Sequence, residues 1–126
     1  MYQVSVEAEF AAAHSLTIAG LPEPLHGHNF HVTVTLAGPT LGPDAMLCDF
    51  HAIADALDAT LRPFRNATIN LVPPFDTTSP SAELLARHIA DQLARRLAGL
   101  LAPNVSIASV RVTEAPGCAA TYLPPP

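Results

Sequence analysis

Two histidines separated by one residue form the most specific chemical signal in the sequence. His26 and His28 flank Gly27, and residues two apart in an extended chain point to the same side. His14 ends an earlier segment of alternating polarity, and the intervening loop could return the chain beside it. Three neutral imidazoles with a fourth position open form the catalytic type of zinc site, with copper, nickel or iron as rival metals. The spacing therefore predicts zinc on His14, His26 and His28, with hydrogen-bonding surface histidines as the alternative.

Three further residues are candidates for ligand binding or acid–base chemistry. Glu114 continues the apolar face of a predicted strand, and a buried carboxylate needs hydrogen-bond donors, which a planar ligand edge with adjacent N–H groups would supply. Glu23 precedes His26 in a proline-flanked loop, where it could be a fourth metal ligand or a general base. Ser81 lies in the first turn of a predicted helix, where a hydroxyl and backbone N–H groups could bind a polar ligand. The simpler alternatives are an exposed strand end, a solvated loop residue and a helix-start residue, respectively.

Strict alternation of apolar and polar residues indicates three strands. They cover residues 2–10, 30–36 and 105–114. The stretch 15–25 contains proline and glycine and is predicted as a loop. Residues 115–126 are predicted as a proline-rich tail, because they show no periodic pattern.

Two helices are predicted between the second and third strands. The first covers about 50–61, with Asp49 as its N-cap. The second begins at Ser79-Pro80, a typical N-cap followed by a first-turn proline, and extends to about residue 101. Its apolar stripe consists of Leu85, Ile89, Leu93, Leu97 and Leu100.

The order β-β-α-α-β predicts an α+β fold in which an antiparallel sheet carries both helices on one face. A chain of 126 residues is expected to form one domain, covering 1–126. The uncovered sheet face needs a partner, and homo-oligomerisation through that face or through sheet edges is the simplest way to bury it. Only 13% of the residues are charged, which also favours surface hidden in an oligomer because average domains have roughly 25%.

Composition excludes several other classes of protein. The net charge is −5 and the chain has no lysine, so it lacks the basic stripe of a nucleic-acid-binding protein. No apolar run approaches the ~20 residues of a membrane-spanning helix, and the start of the chain does not have the pattern of a signal peptide. The two cysteines, Cys48 and Cys118, form neither a C-x-x-C motif nor a disulfide framework, so a reducing cytoplasm is the expected compartment.

Five segments together resemble the 6-pyruvoyl-tetrahydropterin synthase / 6-carboxytetrahydropterin synthase family. They follow the family's order and are FAAAH (10–14), LHGHNF (25–30), CDF (48–50), PPFDTTSPSAELLARHI (73–89) and VRVTEAPGCAATY (110–122). The resemblance implies the T-fold, or tunnelling fold, in which four antiparallel strands and two helices per subunit assemble into a barrel. It also implies a homohexamer made of two trimers, with the active sites between subunits.

The resemblance also assigns roles to individual residues. It implies zinc on His14, His26 and His28, a pterin held by the carboxylate of Glu114, and Ser81 beside that pterin. The family's usual substrate is 7,8-dihydroneopterin triphosphate, whose side-chain hydroxyls would complete the zinc shell. The product and the pathway, whether queuosine, folate or another pteridine, stay open.

A first departure from the family pattern concerns the nucleophile. The usual catalytic cysteine stands four residues before the first histidine of H-G-H, where this chain has Pro22. One subgroup instead carries E-x-x-H-G-H, which residues 23–28 match, and it resembles a retro-aldol enzyme that releases 6-hydroxymethyl-7,8-dihydropterin. By this resemblance Glu23 is the general base, and a 6-carboxytetrahydropterin synthase-type reaction is the other outcome.

A second departure concerns the proton-transfer pair. Most members have an L-D-H-x-x-L-N segment, but residues 64–70 of this chain read FRNATIN, so Arg65 and Asn66 replace the Asp-His pair. Asparagine does not exchange a proton near neutral pH, whereas Arg65 could bind the triphosphate as a fork of N–H donors. The alternative function is therefore that of a repurposed or weakly active pterin-binding member.

Overall fold

Two long antiparallel strands form the centre of a sheet that carries both helices. The computed structural model describes all 126 residues. In chain order the elements are β1 (Tyr2–His14), β2 (Thr17–Ile18), β3 (Leu21–Pro22), β4 (His26–Gly38), α1 (Phe50–Leu61), β5 (Ala67–Thr68), α2 (Ala82–Arg96), β6 (Ser106–Ala115) and β7 (Cys118–Tyr122). Short turns of 3-10 helix cover Arg62–Phe64 and Ile69–Leu71.

The main sheet has the strand order β5-β1-β4-β6-β7. Four of its strands pair antiparallel, and the two-residue β5 pairs parallel to the end of β1. β1 and β4 pair without interruption from Tyr2↔Gly38 to His14↔His26, because alternation of apolar residues on both strands fixes a single register. The predicted α+β fold with a four-stranded antiparallel sheet and two helices is confirmed.

Three segments contain strands that the sequence pattern did not predict, and one of them is the two-residue β5 between the helices. The loop predicted over 15–25 contains the hairpin of β2 and β3, and the tail predicted over 115–126 contains β7. β7 returns beside β6 through Pro116 and Gly117, and Gly117 has a positive φ of 80°. Proline followed by a left-handed glycine is typical of a type II turn, so this dipeptide was the available signal for the hairpin.

The first helix follows the prediction, whereas the second begins and ends elsewhere. α1 begins after Asp49, whose side chain accepts a hydrogen bond from the His51 N–H. The N-cap of α2 is Ser81, whose side chain accepts from the Leu84 N–H, so the prediction of Ser79 was wrong. Because the helix starts after Pro80, the Pro80 carbonyl is free to accept a hydrogen bond from outside the helix. α2 ends at Arg96 rather than near residue 101.

The core lies between the helices and one face of the sheet. Alternate β4 residues from Phe30 to Leu36 are fully buried, and β1 and β6 contribute to the same layer. The helices bury the residues of their apolar stripes, which are Ile53, Leu57, Leu61, Leu85, Ile89, Leu93 and Leu97. Leu100, predicted to extend the second stripe, follows the helix end and is 66% exposed.

The opposite face of the sheet is polar and carries no helix. Glu7, Glu9, His31 and Arg111 lie on it, and all four are exposed. An open cavity of about 590 Å³ lies among these side chains. None of the helices is both long enough and apolar enough to cross a membrane.

Candidate active site

Three histidines converge at one end of the sheet, on the face that the helices cover. His14 and His26 are directly paired at the last position of the β1–β4 ladder, and His28 is two residues further along β4. The alternation of strand side chains therefore directs all three toward the same side. Their ring centroids lie 4.7 Å (His14–His26), 5.2 Å (His14–His28) and 4.7 Å (His26–His28) apart.

Backbone carbonyls orient two of these rings. His14 Nδ1 lies 2.9 Å from the Pro80 carbonyl oxygen, and His26 Nδ1 lies 2.9 Å from the Pro24 carbonyl oxygen. Because a carbonyl oxygen only accepts, each Nδ1 must donate, which leaves Nε2 of the neutral ring with a free lone pair. This arrangement, with Nδ1 bonded to a carbonyl and Nε2 directed inward, is typical of metal-binding histidines.

Glu114 brings a carboxylate oxygen into the centre of the histidine cluster. Its Oε1 lies 2.8 Å from His14 Nε2, 3.0 Å from His28 Nε2 and 3.9 Å from His26 Nε2. A carboxylate oxygen and an unprotonated Nε2 are both acceptors, so they attract each other only with a proton or a cation between them. The cluster therefore has the electrostatics of a cation site.

The residues present fit a bound metal ion. His28 Nε2 is buried and makes no hydrogen bond, and a buried polar atom without a partner is costly unless something binds it. The ligand atoms of His14, His26, His28 and Glu114 all lie within 4.8 Å of one another. Imidazole nitrogens with one carboxylate oxygen form a donor set that zinc accepts.

Glu23 borders the same cluster from the β2–β3 hairpin. Its Oε1 lies 3.7 Å from His26 Nε2 and accepts a hydrogen bond of 3.0 Å from the Leu16 N–H. The side chain is 25% exposed, so it is neither withdrawn into the core nor free in solvent. The structure thus brings the predicted base next to the predicted metal ligands.

Ser81 and Arg65, also predicted as ligand-binding residues, make contacts of a different kind. The Ser81 hydroxyl caps α2, and the preceding residue supplies the carbonyl that orients His14. Arg65 lies beside the outer edge of β1, where it donates to the Glu9 carbonyl oxygen at 2.9 Å and to Asp58 Oδ1 at 3.1 Å. Neither residue contacts the histidine cluster directly.

Two other histidines and both cysteines lie apart from the cluster. His31 is on the polar face of the sheet, and His51 is almost fully exposed on α1. Cys48 precedes α1; its partial burial, and secondarily the neighbouring Asp49, raise the pKa of its thiol and so oppose formation of a thiolate. Cys118 is exposed on β7.

Two groups of this site were not predicted from the sequence. One is the Pro80 carbonyl, which no residue type could reveal, because every residue has a backbone carbonyl. The other is Asn70, whose side chain bonds to the backbone of Ser15 next to His14. The N that ends the FRNATIN segment was the available signal for Asn70.

A cavity of about 460 Å³ adjoins the cluster and has the size of a small-molecule site. Its lining includes His28, Asn29, Thr113 and Glu114. The carboxylate of Glu114 therefore borders both the histidines and an open space.

A sequence model of the 6-pyruvoyl tetrahydropterin synthase family matches residues 3–125. The chain belongs to this family. Its fold is similar to that of the Caenorhabditis elegans 6-pyruvoyl tetrahydropterin synthase, with a TM-score of 0.80, 23% identity, and coverage of 99% of this chain and 98% of that chain. The Plasmodium vivax 6-pyruvoyl tetrahydropterin synthase gives a TM-score of 0.77 at 20% identity, with 96% of each chain covered.

A variant of the P. vivax synthase in which a catalytic glutamate is replaced by alanine has the same fold, with a TM-score of 0.77, 18% identity and 96% coverage of each chain. No curated protein sequence matches the chain. The subunit architecture of the T-fold, with four antiparallel strands and two helices, is the fold observed. Membership in the 6-pyruvoyl tetrahydropterin synthase family rests on the match over nearly the whole chain.

Proposed function

We propose that this protein is a zinc-dependent lyase that cleaves the side chain of 7,8-dihydroneopterin triphosphate by a retro-aldol reaction. The observation that carries the proposal is the placement of the Glu23 carboxylate 3.7 Å from His26 Nε2, at the margin of the three-histidine cluster. The P. vivax enzyme also has a glutamate as a catalytic residue, which supports a catalytic role for Glu23 here. A 6-carboxytetrahydropterin synthase-type reaction is the other product outcome.

His14, His26 and His28 would hold the zinc ion through their Nε2 atoms. When bound, zinc would supply Lewis-acid polarisation of the substrate side chain. The Pro80 and Pro24 carbonyls keep the His14 and His26 rings in the required tautomer, so these ligands are oriented before the metal binds.

Glu23 would move one proton during the reaction. Its carboxylate would accept the proton of the 2′-hydroxyl, and the C2′–O bond would become a carbonyl as the C1′–C2′ bond breaks. The electron pair of that bond would pass into the C6–N5 unit of the pterin, and the carboxyl of Glu23 would return the proton to C1′. The products are 6-hydroxymethyl-7,8-dihydropterin and a two-carbon aldehyde that carries the triphosphate, so one acid–base group is sufficient.

The remaining predicted residues would bind the two ends of the substrate. With zinc held by the three histidines alone, both oxygens of Glu114 would be free to accept hydrogen bonds from adjacent N–H groups of the pterin in a bidentate pair, since the carboxylate also borders the open cavity. Ser81 would contact the pterin edge through its hydroxyl hydrogen, because its oxygen already accepts from Leu84. Arg65 would bind the triphosphate with the guanidinium N–H groups that Glu9 and Asp58 leave free.

The active form would be a homohexamer of two trimers in a reducing cytoplasm. The polar sheet face, which no helix covers, would line the interior of the barrel, where its exposed charges keep contact with water. Both cysteines are free, as a reducing compartment requires.

The test is product analysis with zinc-loaded protein and 7,8-dihydroneopterin triphosphate. Formation of 6-hydroxymethyl-7,8-dihydropterin is expected, and Glu23→Gln should lower kcat by roughly 10²–10⁴-fold, the usual contribution of a general base. Glu7→Gln, a matched change on the polar sheet face, should leave kcat unchanged. Turnover by Glu23→Gln equal to that of the parent protein would refute the base assignment.

A pterin-binding protein without turnover is the second candidate function. It is favoured by Asn66, which by the family resemblance stands in the position of a proton-transfer residue but cannot exchange a proton near neutral pH. The backbone of Asn66 is fixed in this position: its φ is 55°, and its N–H donates to the Ala11 carbonyl oxygen. This function predicts that the protein binds the pterin, that Glu114→Ala weakens the binding, and that no product forms. The same product analysis therefore separates the two candidates.

A further inference from the structure

Asn70 holds the chain at the point where β1 ends and the hairpin that carries Glu23 begins. Its Oδ1 accepts a hydrogen bond of 2.9 Å from the Ser15 N–H, and its Nδ2 donates one of 2.8 Å to the Ser15 carbonyl oxygen. Because one bond uses the acceptor of the amide and the other uses its donor, the pair fixes the orientation of the side chain.

These two bonds replace strand pairing that is missing at Ser15. The β1–β4 ladder ends at His14↔His26, so the N–H and carbonyl of the next residue have no partner in the sheet. Half-buried backbone groups need such partners, and Asn70 supplies both of them from the 3-10 turn Ile69–Leu71. The direction in which the chain leaves His14 therefore depends on this one side chain.

The fixed backbone is in turn bonded to Glu23 at three points. Ser15 Oγ donates to the Glu23 carbonyl oxygen at 2.6 Å, and the Leu16 N–H donates to Glu23 Oε1 at 3.0 Å. The Glu23 N–H donates to the Leu16 carbonyl oxygen at 2.8 Å. A shift of the Ser15–Leu16 peptide would therefore move both the backbone and the carboxylate of Glu23.

We propose that Asn70 is a positioning residue that sets the carboxylate of Glu23 against the histidine cluster by clamping the backbone of Ser15. Asn70 touches neither Glu23 nor a histidine, so it acts through the intervening peptide. The proposal rests on the proposed function in which Glu23 is the base, but the clamp itself can be measured without substrate.

The first measurement is amide hydrogen exchange in the zinc-loaded protein. The N–H groups of Ser15, Leu16 and Glu23 report successive steps from the clamp to the carboxylate. Asn70→Ala should speed their exchange by roughly tenfold, whereas Asn104→Ala, which removes an exposed amide bonded to Thr40, should leave it unchanged. Unchanged exchange at these three amides in Asn70→Ala would overturn the proposal, whatever the activity of the protein.

A second variant keeps the test valid if Asn70→Ala does not fold. Asn70→Asp has nearly the same shape and retains an acceptor for the Ser15 N–H, but it places a second, charged acceptor against the Ser15 carbonyl oxygen in place of the donor. It should also speed exchange at the same amides, and exchange equal to that of the parent protein would count against the clamp.

The second measurement separates positioning from general stability. Asn70→Ala should lower kcat by roughly 10–100-fold, the usual effect of removing a partner that orients a functional residue, with KM and zinc content little changed. In a Glu23→Gln background the same substitution should have no further effect on kcat. A full loss of kcat in that background would show that Asn70 does not act through Glu23.

The two measurements also distinguish this proposal from the proposed function. If Glu23→Gln leaves turnover unchanged, the base assignment fails, and exchange at the Glu23 amide still decides whether Asn70 positions that residue.

Discussion

Zinc should stabilise this protein through His28 and not through His31, which lies on the same strand. His28 faces the cluster, where its Nε2 is buried without a hydrogen bond. His31 faces the opposite side of the sheet and its side chain is 57% exposed. The pair therefore offers a matched comparison of His28→Ala with His31→Ala, in which only the first removes a ligand.

The size of the effect follows from binding linkage and chain length. Free zinc at 1,000 times its Kd stabilises the folded state by about 4.1 kcal/mol, provided that it does not bind the unfolded chain. With roughly 2.1 cal/mol/K of unfolding entropy per residue, the 126 residues give about 0.26 kcal/mol/K. Zinc should therefore raise Tm by about 15 °C in the parent protein and in His31→Ala.

His28→Ala should lose most of this rise, because only two of the three imidazoles remain. When a chelator removes zinc, the stabilities of His28→Ala and the parent protein should be similar. The substitution removes a buried nitrogen that has no hydrogen bond, and the desolvation of such a nitrogen costs about 1–3 kcal/mol. Relief of this cost offsets part of the packing that is lost with the ring, so in chelator the variant should unfold within a few degrees of the parent.

The assay is differential scanning calorimetry of each protein with a chelator and with buffered zinc, at equal protein concentration. Competition with a chromophoric chelator measures the Kd values in parallel. An equal zinc-induced rise in His28→Ala and His31→Ala would refute the assignment of the ligands. A parent protein whose Tm does not respond to zinc would refute the metal site itself.

Three further changes test the fold around the site. Ala19→Asn should raise the free energy of unfolding in urea by about 0.5–1 kcal/mol. Ala19 and Gly20 both have positive φ (51° and 81°) at the β2–β3 turn, where asparagine before glycine is favoured. A lower urea midpoint in the variant would contradict this. Gly38→Ala should lower the free energy of unfolding by about 1–3 kcal/mol in the same assay, because a Cβ at residue 38 would lie 2.8 Å from Leu47 Cδ1. An unchanged free energy of unfolding would mean that Leu47 can move aside. His88→Phe should weaken the loss of stability between pH 7.5 and pH 5, and an unchanged pH dependence would show that His88 does not cause it.

The sign of the His88 prediction follows from its surroundings. Its ring packs edge-on against Phe64 and Phe75, with centroids 5.7 and 5.5 Å away. Burial lowers the pKa of His88 from its ordinary value of 6.5; Asp91 acts in the opposite direction, and Arg95 lowers it further. The unfolded chain therefore binds the proton more readily than the folded one, so the stability linked to His88 is present above about pH 6.5 and is lost as the pH falls below it.

Sequence periodicity was sufficient for the parts of the fold that depend on one face of one element. The helical spacing of Leu85, Ile89 and Leu93 predicted the buried face of α2, and the spacing of His26 and His28 predicted that they share a side. Each prediction needed only the geometry of an isolated helix or strand. Where the pattern was weak, as in the short alanine-rich β7, pairing with β6 supplied the order that the local sequence did not.

Tertiary structure decided which distant groups meet at the histidines. Residue 114 reaches His14 because strand register brings the end of β6 to the same edge of the sheet, and Glu23 reaches His26 because Ser15 and Leu16 hold the hairpin. The carbonyl of Pro80 is free to orient His14 only because α2 begins two residues later than its helix-start signal predicted. Residue types and spacing along the chain determined which side chains could bind a metal or move a proton. Their distances and orientations were decided by long-range pairing and by backbone groups, which are alike at every position and therefore leave no mark in the sequence.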